Sequence, residues 1–210
     1  MSHTAFFYGT LMAPPVLHRV IWGNTSPPLT QTSLLKIRPA ILHAYQRHKV
    51  KDADYPAILP EDGSSSVRGT LVTGLTDGDI WRLDIFEGFE YKRQKVTVSV
   101  LEGPEGALGG LEQKEEDNVE GEKVEAEVYV WVAGKERLEV EEWDFGVFVK
   151  EKMKRWVGAE AAEADEGFQE VDDAVAALSD PTGGRGTNGS ITRTLEQNGQ
   201  AEKEALKSAV

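Results

Sequence analysis

Residues 76–101 read TDGDIWRLDIFEGFEYKRQKVTVSVL, and two different periodicities meet inside this stretch. Thr76 is suited to cap a helix, with Asp79 three residues on as a variant of the capping box. Ile80, Leu83 and Phe86 then share one helical face. Gly88 is the expected left-handed residue that ends the helix, which sets Glu87 at its C-terminus, where a side chain can project into a cleft. From Tyr91 to Leu101 the period changes to two, with Val96, Val98 and Val100 alternating as in a strand.

Upstream, Ala5–Tyr8 reads as a short buried strand broken at Gly9 and Thr10, and Pro14-Pro15 forbids its continuation. Val16, Leu17, Val20 and Ile21 recur at helical spacing, and Gly23 closes that helix. Leu34–Lys49 gives one or two strands broken near Pro39. Tyr55–Pro60 is extended, 61–64 is a turn, and Val67–Gly74 is a further strand. Downstream, Glu127–Val132 alternates, with Val128, Val130 and Val132 on one face and Tyr129 and Trp131 on the other. It is expected to pair with 91–101 as a long hairpin across a Gly- and Glu-rich excursion. Glu141–Val157 predicts an amphipathic helix with Trp143, Val147, Met153 and Trp156 inward and Phe148 nearby.

This order predicts the α+β class with a curved or closed mixed sheet, because strands and helices do not alternate regularly. One domain is expected over residues 4–157, carrying a flexible acidic insertion at 103–124. A low-complexity, disordered tail follows over 158–210, with a marginal helix at 195–206. The 210-residue chain carries a formal net charge of -13, which repels phosphate backbones and anionic membranes, so neither nucleic acid nor membrane is an expected partner. With no cysteine there is no disulfide, thiolate nucleophile or Cys-based zinc site. No signal peptide and no run long enough to span a bilayer is visible, and a cytoplasmic location is expected.

His3, His18, His43 and His48 form no metal-binding pair, and no GxSxG, P-loop or GxGxxG is present. Two features remain. Tyr8-Gly9-Thr10-Leu11 follows a buried strand, and its backbone N–H groups suit an anion, although from these residues alone a plain strand-ending turn is the favoured reading. Asp84–Arg93 places a carboxylate between Phe86 and Phe89, where desolvation raises its pKa into the range of proton transfer. The alternative is a solvated helix end with Arg93 as counter-ion. Trp22, Trp81 and Trp143 read as core rather than pocket residues.

Taken together, FFYGTLM (Phe6–Met12), YPAILP (Tyr55–Pro60), RGTL (Arg68–Leu71), LDIFEGFEYKRQKVTV (Leu83–Val98) and VYVW (Val128–Trp131) resemble the gamma-glutamylcyclotransferase-like family. The likeness is strongest to its gamma-glutamylamine cyclotransferase and avirulence-induced-protein branch. The resemblance implies a small β-barrel with flanking helices and a pocket floored by Tyr8, Gly9, Thr10 and Leu11. It implies Glu87 rather than its neighbour Glu90 as the catalytic acid/base. It further implies a small-molecule gamma-glutamyl substrate cyclised to 5-oxoproline with release of an amine or amino acid, with no cofactor and no metal. A non-catalytic module binding a small molecule or protein, and a Glu87-dependent amide or isopeptide hydrolase, are the competing expectations. The sequence names no protein partner for the insertion or the tail.

Overall fold

A computed structural model describes residues 2–102, 118–158 and 161–178. The strands are β1 (His3–Phe7), β2 (Lys36–His43), β3 (Tyr45–Lys49), β4 (Pro56–Pro60), β5 (Ser66–Leu75), β6 (Tyr91–Leu101) and β7 (Glu120–Trp131). The helices are α1 (Pro14–Trp22), α2 (Leu29–Thr32), α3 (Asp77–Glu87), α4 (Phe145–Val147), α5 (Met153–Val157), α6 (Ala161–Ala164) and α7 (Gly167–Ala177). A 3-10 turn at Thr10–Met12 follows β1, and a π turn at Phe148–Lys152 joins α4 to α5.

Five strands close a barrel in the order β1-β5-β2-β6-β7, while β3 and β4 form a separate two-stranded sheet. Four of the barrel's contacts are antiparallel, and the fifth, β1 with β7, is parallel and closes it at Ala5 and Glu127. Closure leaves no long edge open to pairing with another chain. The protein is therefore α+β, a small mixed-sheet barrel with flanking helices. No helix among the described residues is long and apolar enough to cross a membrane.

Strand alternation sorts the core. Phe6, Leu42, Leu71, Val98, Val128 and Val130 fill the barrel, whereas Ala5, Phe7, Val72 and Tyr129 face outward. That outer face packs on Val16, Leu17, Val20 and Ile21 of α1, Ile80 and Leu83 of α3, and the aromatic residues Phe148, Trp156 and Phe168. The hairpin expected across the excursion forms, with β6 and β7 paired from Tyr91–Trp131 out to Leu101–Glu120.

Four expectations need correction. Pro39 does not break a strand: it lies within β2, where β2 pairs β5 alone, so no second ladder calls for its missing N–H. The break is at Ala44, whose φ of 62° turns the chain out of the barrel into β3. The acidic insertion is shorter than 103–124 at its downstream end, because β7 begins at Glu120. There Glu120, Glu122 and Glu125 pair with His43, Arg38 and Lys95. The predicted helix at 141–157 starts only at Phe145 and is interrupted by the π turn; Val147 is exposed, while Trp143 and Phe148 are buried.

The fourth concerns the expected tail. Residues 161–164 and 167–177 are helical, and Phe168 and Val171 are buried. Two apolar side chains suffice because neighbours far away in sequence receive them. The expected helix at 195–206 lies outside the described residues, as does most of the insertion.

Candidate active site

One cleft of about 570 Å³ opens at the end of the barrel where β1 and β7 run out and β6 begins. Tyr8, Gly9, Thr10 and Leu11 line it, and so does Glu87, so the fold brings together every site residue expected from the sequence. The loop between β3 and β4, Asp52 to Pro56, forms a second side. The segment from Glu163 to Gly167, leading from α6 into α7, forms a third.

The loop after β1 is held by close approach. Gly9 has φ -128° and ψ -142°, so a left-handed backbone is not the reason for glycine here. A Cβ at this position would meet Cγ of Pro56 at 2.8 Å, so glycine lets the loop lie against β4. The 3-10 turn then starts at Thr10, with Met12 N–H donating to Gly9 O at 3.0 Å. Arg47 of β3 reaches across and donates to the Tyr8 carbonyl at 3.1 Å.

Helix α3 positions Glu87. Its start carries the full capping box: Thr76 Oγ1 accepts from Asp79 N–H at 3.2 Å, and Asp79 Oδ2 accepts from Thr76 N–H at 2.8 Å. One turn before its end, Asp84 takes two bonds from Arg93 at 2.8 and 3.1 Å and one from the Tyr129 hydroxyl at 2.8 Å. Arg93 also donates to Glu127 of β7. Arg93 is therefore the counter-ion of Asp84 and Glu127, and the last turn of α3 is tied to the barrel wall. Gly88 ends the helix with φ 61° and ψ -154°, a positive-φ conformation but not the expected left-handed helical one, and nearly exclusive to glycine.

The Glu87 carboxyl makes no hydrogen bond or ion pair with the described residues. Burial raises its pKa to about 8, and the charges of Asp165 and Asp84 add to the shift. The helix C-terminus, with its negative end of the macrodipole, works in the same sense. Glu90 is different. It accepts from the Tyr55 hydroxyl at 3.1 Å and from Arg137, and both its oxygens are engaged.

Three tyrosines complete the interior. Tyr8 donates to Tyr129 O at 2.7 Å, Tyr91 donates to Pro56 O at 2.9 Å, and Tyr129 donates to Asp84. Burial first, and then nearby carboxylates or tyrosines, push the pKa of all three well above the ordinary value, so they stay neutral hydrogen-bonding groups. Tyr91 and Tyr129 lay within the sequence motifs without being assigned to the site. Asp165, which faces the same cleft, had no sequence signal at all. No group of three or more His, Asp or Glu among the described residues is placed to hold a metal ion.

A closed mixed barrel whose mouth brings a tight Gly loop and an enclosed glutamate together defines a class of small cleft-bearing barrel proteins. The chain belongs to the gamma-glutamyl cyclotransferase, AIG2-like family, whose model matches residues 5–145. Protein AIG2 C of Arabidopsis thaliana is 35% identical over 144 residues, spanning 69% of this chain and 70% of that protein. AIG2-like protein C of the same plant is 30% identical over 144 residues, spanning 69% and 67%. A solution structure from Arabidopsis thaliana aligns with a TM-score of 0.46 at 28% identity over 88% of each chain. The family match ends at residue 145, before α5, α6 and α7.

Proposed function

We propose that the protein is a gamma-glutamyl cyclotransferase that closes a gamma-glutamyl amide to 5-oxoproline, with Glu87 as the general acid/base. The observation that carries the reading is a single enclosed carboxyl, without a partner among the described residues, facing the Tyr8–Leu11 loop in a chain of this family. Glu90 is a poorer candidate because Tyr55 and Arg137 already occupy it.

The nucleophile in this reaction is the substrate's own α-amine. Glu87, as carboxylate, takes a proton from the α-ammonium, and the freed nitrogen attacks the γ-carbonyl carbon to form a five-membered ring. The carbonyl oxygen becomes an oxyanion, then re-forms the double bond as the carbon–nitrogen bond to the leaving amine breaks. Glu87, now a carboxylic acid, gives its proton to that nitrogen. The ring nitrogen sheds its second proton to the released amine, which departs as an ammonium ion, so the protons balance and Glu87 regains its starting carboxylate form.

The backbone N–H groups of Gly9, Thr10 and Leu11 are assigned to the substrate's α-carboxylate or to the developing oxyanion. Tyr8, neutral and fixed by its bond to Tyr129 O, walls the glutamyl part. General acid–base help of this type contributes roughly 10²–10⁴-fold. Holding the amine against its own carbonyl supplies much of the remainder. The proposal includes a cytoplasmic setting.

Mass spectrometry of the products formed from a panel of gamma-glutamyl amides tests this. 5-Oxoproline together with the free amine is the expected outcome. Free glutamate instead would mean that Glu87 activates water and the protein is an amide hydrolase; no product from any compound would leave a binding module.

A further inference from the structure

Glu90 shares a short segment with Glu87, yet its surroundings give it different work. It ends a 3-10 turn, Gly88–Glu90, between α3 and β6, and its side chain is 17% exposed. Oε2 accepts from the Tyr55 hydroxyl at 3.1 Å, and Oε1 accepts from Arg137. Tyr55 belongs to the loop between β3 and β4, and Arg137 ends another 3-10 turn, Lys135–Arg137, beyond β7. The partners lie 35 and 47 positions from Glu90, so only the fold joins them. All three residues line the cleft.

The two segments also meet through their backbones. Lys51 N–H donates to Arg137 O at 2.9 Å, Val50 N–H donates to Tyr55 O at 3.3 Å, and Val50 bridges Leu138. Asp52, within the loop, has φ 59°, a left-handed turn that an aspartate adopts at some cost, so contacts from outside help to keep the loop in shape. Tyr91 and Trp143 supply two of them by donating to Pro56 O at 2.9 Å and Asp54 O at 2.8 Å. Glu90 supplies the charged one. Burial first, and then the charge of Glu90, raise the pKa of Tyr55, so its hydroxyl stays a donor. Arg137 lies over the Trp131 ring at 5.2 Å, and Glu90 is the carboxylate that offsets its charge at the cleft mouth. With both oxygens taken, Glu90 offers a substrate neither a free base nor a free acceptor.

We propose that Glu90 is a positioning residue: its carboxylate latches the β3–β4 loop and the Lys135–Arg137 turn to the end of α3, so that a substrate meets the second side of the cleft already formed. The proposal rests on the cyclotransferase reading only for the compound that fills the cleft. A preformed wall lowers the ordering cost of binding and leaves proton transfer at Glu87 untouched, so the latch acts on KM rather than on kcat.

Amide hydrogen exchange in the free, full-length protein tests the latch without turnover. Glu90→Gln keeps the size of the side chain and removes its charge. It speeds exchange at Val50 and Lys51 by about three- to tenfold and leaves the β5 amides of the barrel unchanged. Tyr55→Phe speeds Val50 and Arg137→Met speeds Lys51, because each removes one partner. Unaltered exchange at both amides in Glu90→Gln overturns the proposal, as does an equal rise across β5, which marks a general loss of stability. In kinetics with the gamma-glutamyl amide of butylamine, Glu90→Gln raises KM by a similar factor and keeps kcat within about twofold. A loss confined to kcat at unchanged KM overturns the positioning role. Absence of turnover in the wild type counts against the ring-closure reading alone, and the exchange result then decides the latch by itself.

Discussion

At Glu87 one carboxyl group answers to three influences of the same sign: enclosure, the nearby Asp165 and Asp84, and the end of α3. The pH dependence follows from the raised value of about 8. As a base the group must be ionised, so kcat/KM of the wild type rises with pH up to about 8 and levels off above it, where a residue of ordinary pKa would give a plateau from about pH 5. A pH profile at low substrate reads this directly. Stability runs the other way. The unfolded chain releases this proton near 4.5 and the folded one near 8, so the folded state binds more protons between those values and loses stability as pH rises through them. Asp165, raised to about 6 by burial, adds a slope of the same sign at lower pH. Glu87→Gln removes its share, so the variant should melt a few degrees above wild type at pH 8.5, with the gap narrowing toward pH 5. Calorimetric melting at the two pH values checks it; a variant less stable at pH 8.5 would contradict the buried-acid account.

At the scale of the element, α3 and β6 were legible because independent signals agreed. The capping residues, the apolar face, the glycine and the change of period all marked one boundary. What the residues did not show was how the boundary is held: Asp84 and Arg93 sit nine positions apart, and Tyr129 comes from a distant strand. Gly88→Ala tests the helix end. There is open space for the new Cβ, so the whole cost is backbone strain, on the order of 1–3 kcal/mol. It should lower kcat more than it lowers folded yield, because relief of the strain re-aims Glu87. Gly9→Ala differs in origin: the new Cβ meets Pro56, so it should shift the loop against β4 and raise KM. Kinetics of the two variants, with denaturant melts alongside, distinguish the cases. The strand boundary at Ala44 was not legible, since an alanine at positive φ leaves no mark in the sequence, whereas Pro39 leaves a misleading one.

Across the whole molecule, the barrel and its helices form one packed unit in which α6 and α7 take part. Their composition, mostly Ala, Glu, Asp and Gly, hides this, because the few apolar groups are completed by Phe86, Trp156 and Arg19 from elsewhere in the chain. The Tyr8–Leu11 loop and Glu87 were legible as separate motifs, and the fold brings both to one cleft. The third wall was not legible, since nothing local distinguishes Asp165 from the other acids around it. Phe168→Ala should cost about 3–5 kcal/mol, as for a buried aromatic in a continuous core, and equilibrium unfolding should remain one transition. An unchanged midpoint would show that α7 is not part of the folded unit.

The central claim is that Glu87 moves the proton in a ring closure. It is tested most directly by measuring 5-oxoproline release from a turned-over gamma-glutamyl amide by wild type, Glu87→Gln and Glu90→Gln, each verified as folded. The account predicts loss of about 10²–10⁴-fold in kcat for Glu87→Gln and a much smaller loss for Glu90→Gln. A folded Glu87→Gln protein with wild-type kcat, or a Glu90→Gln protein that alone is inactive, would contradict it.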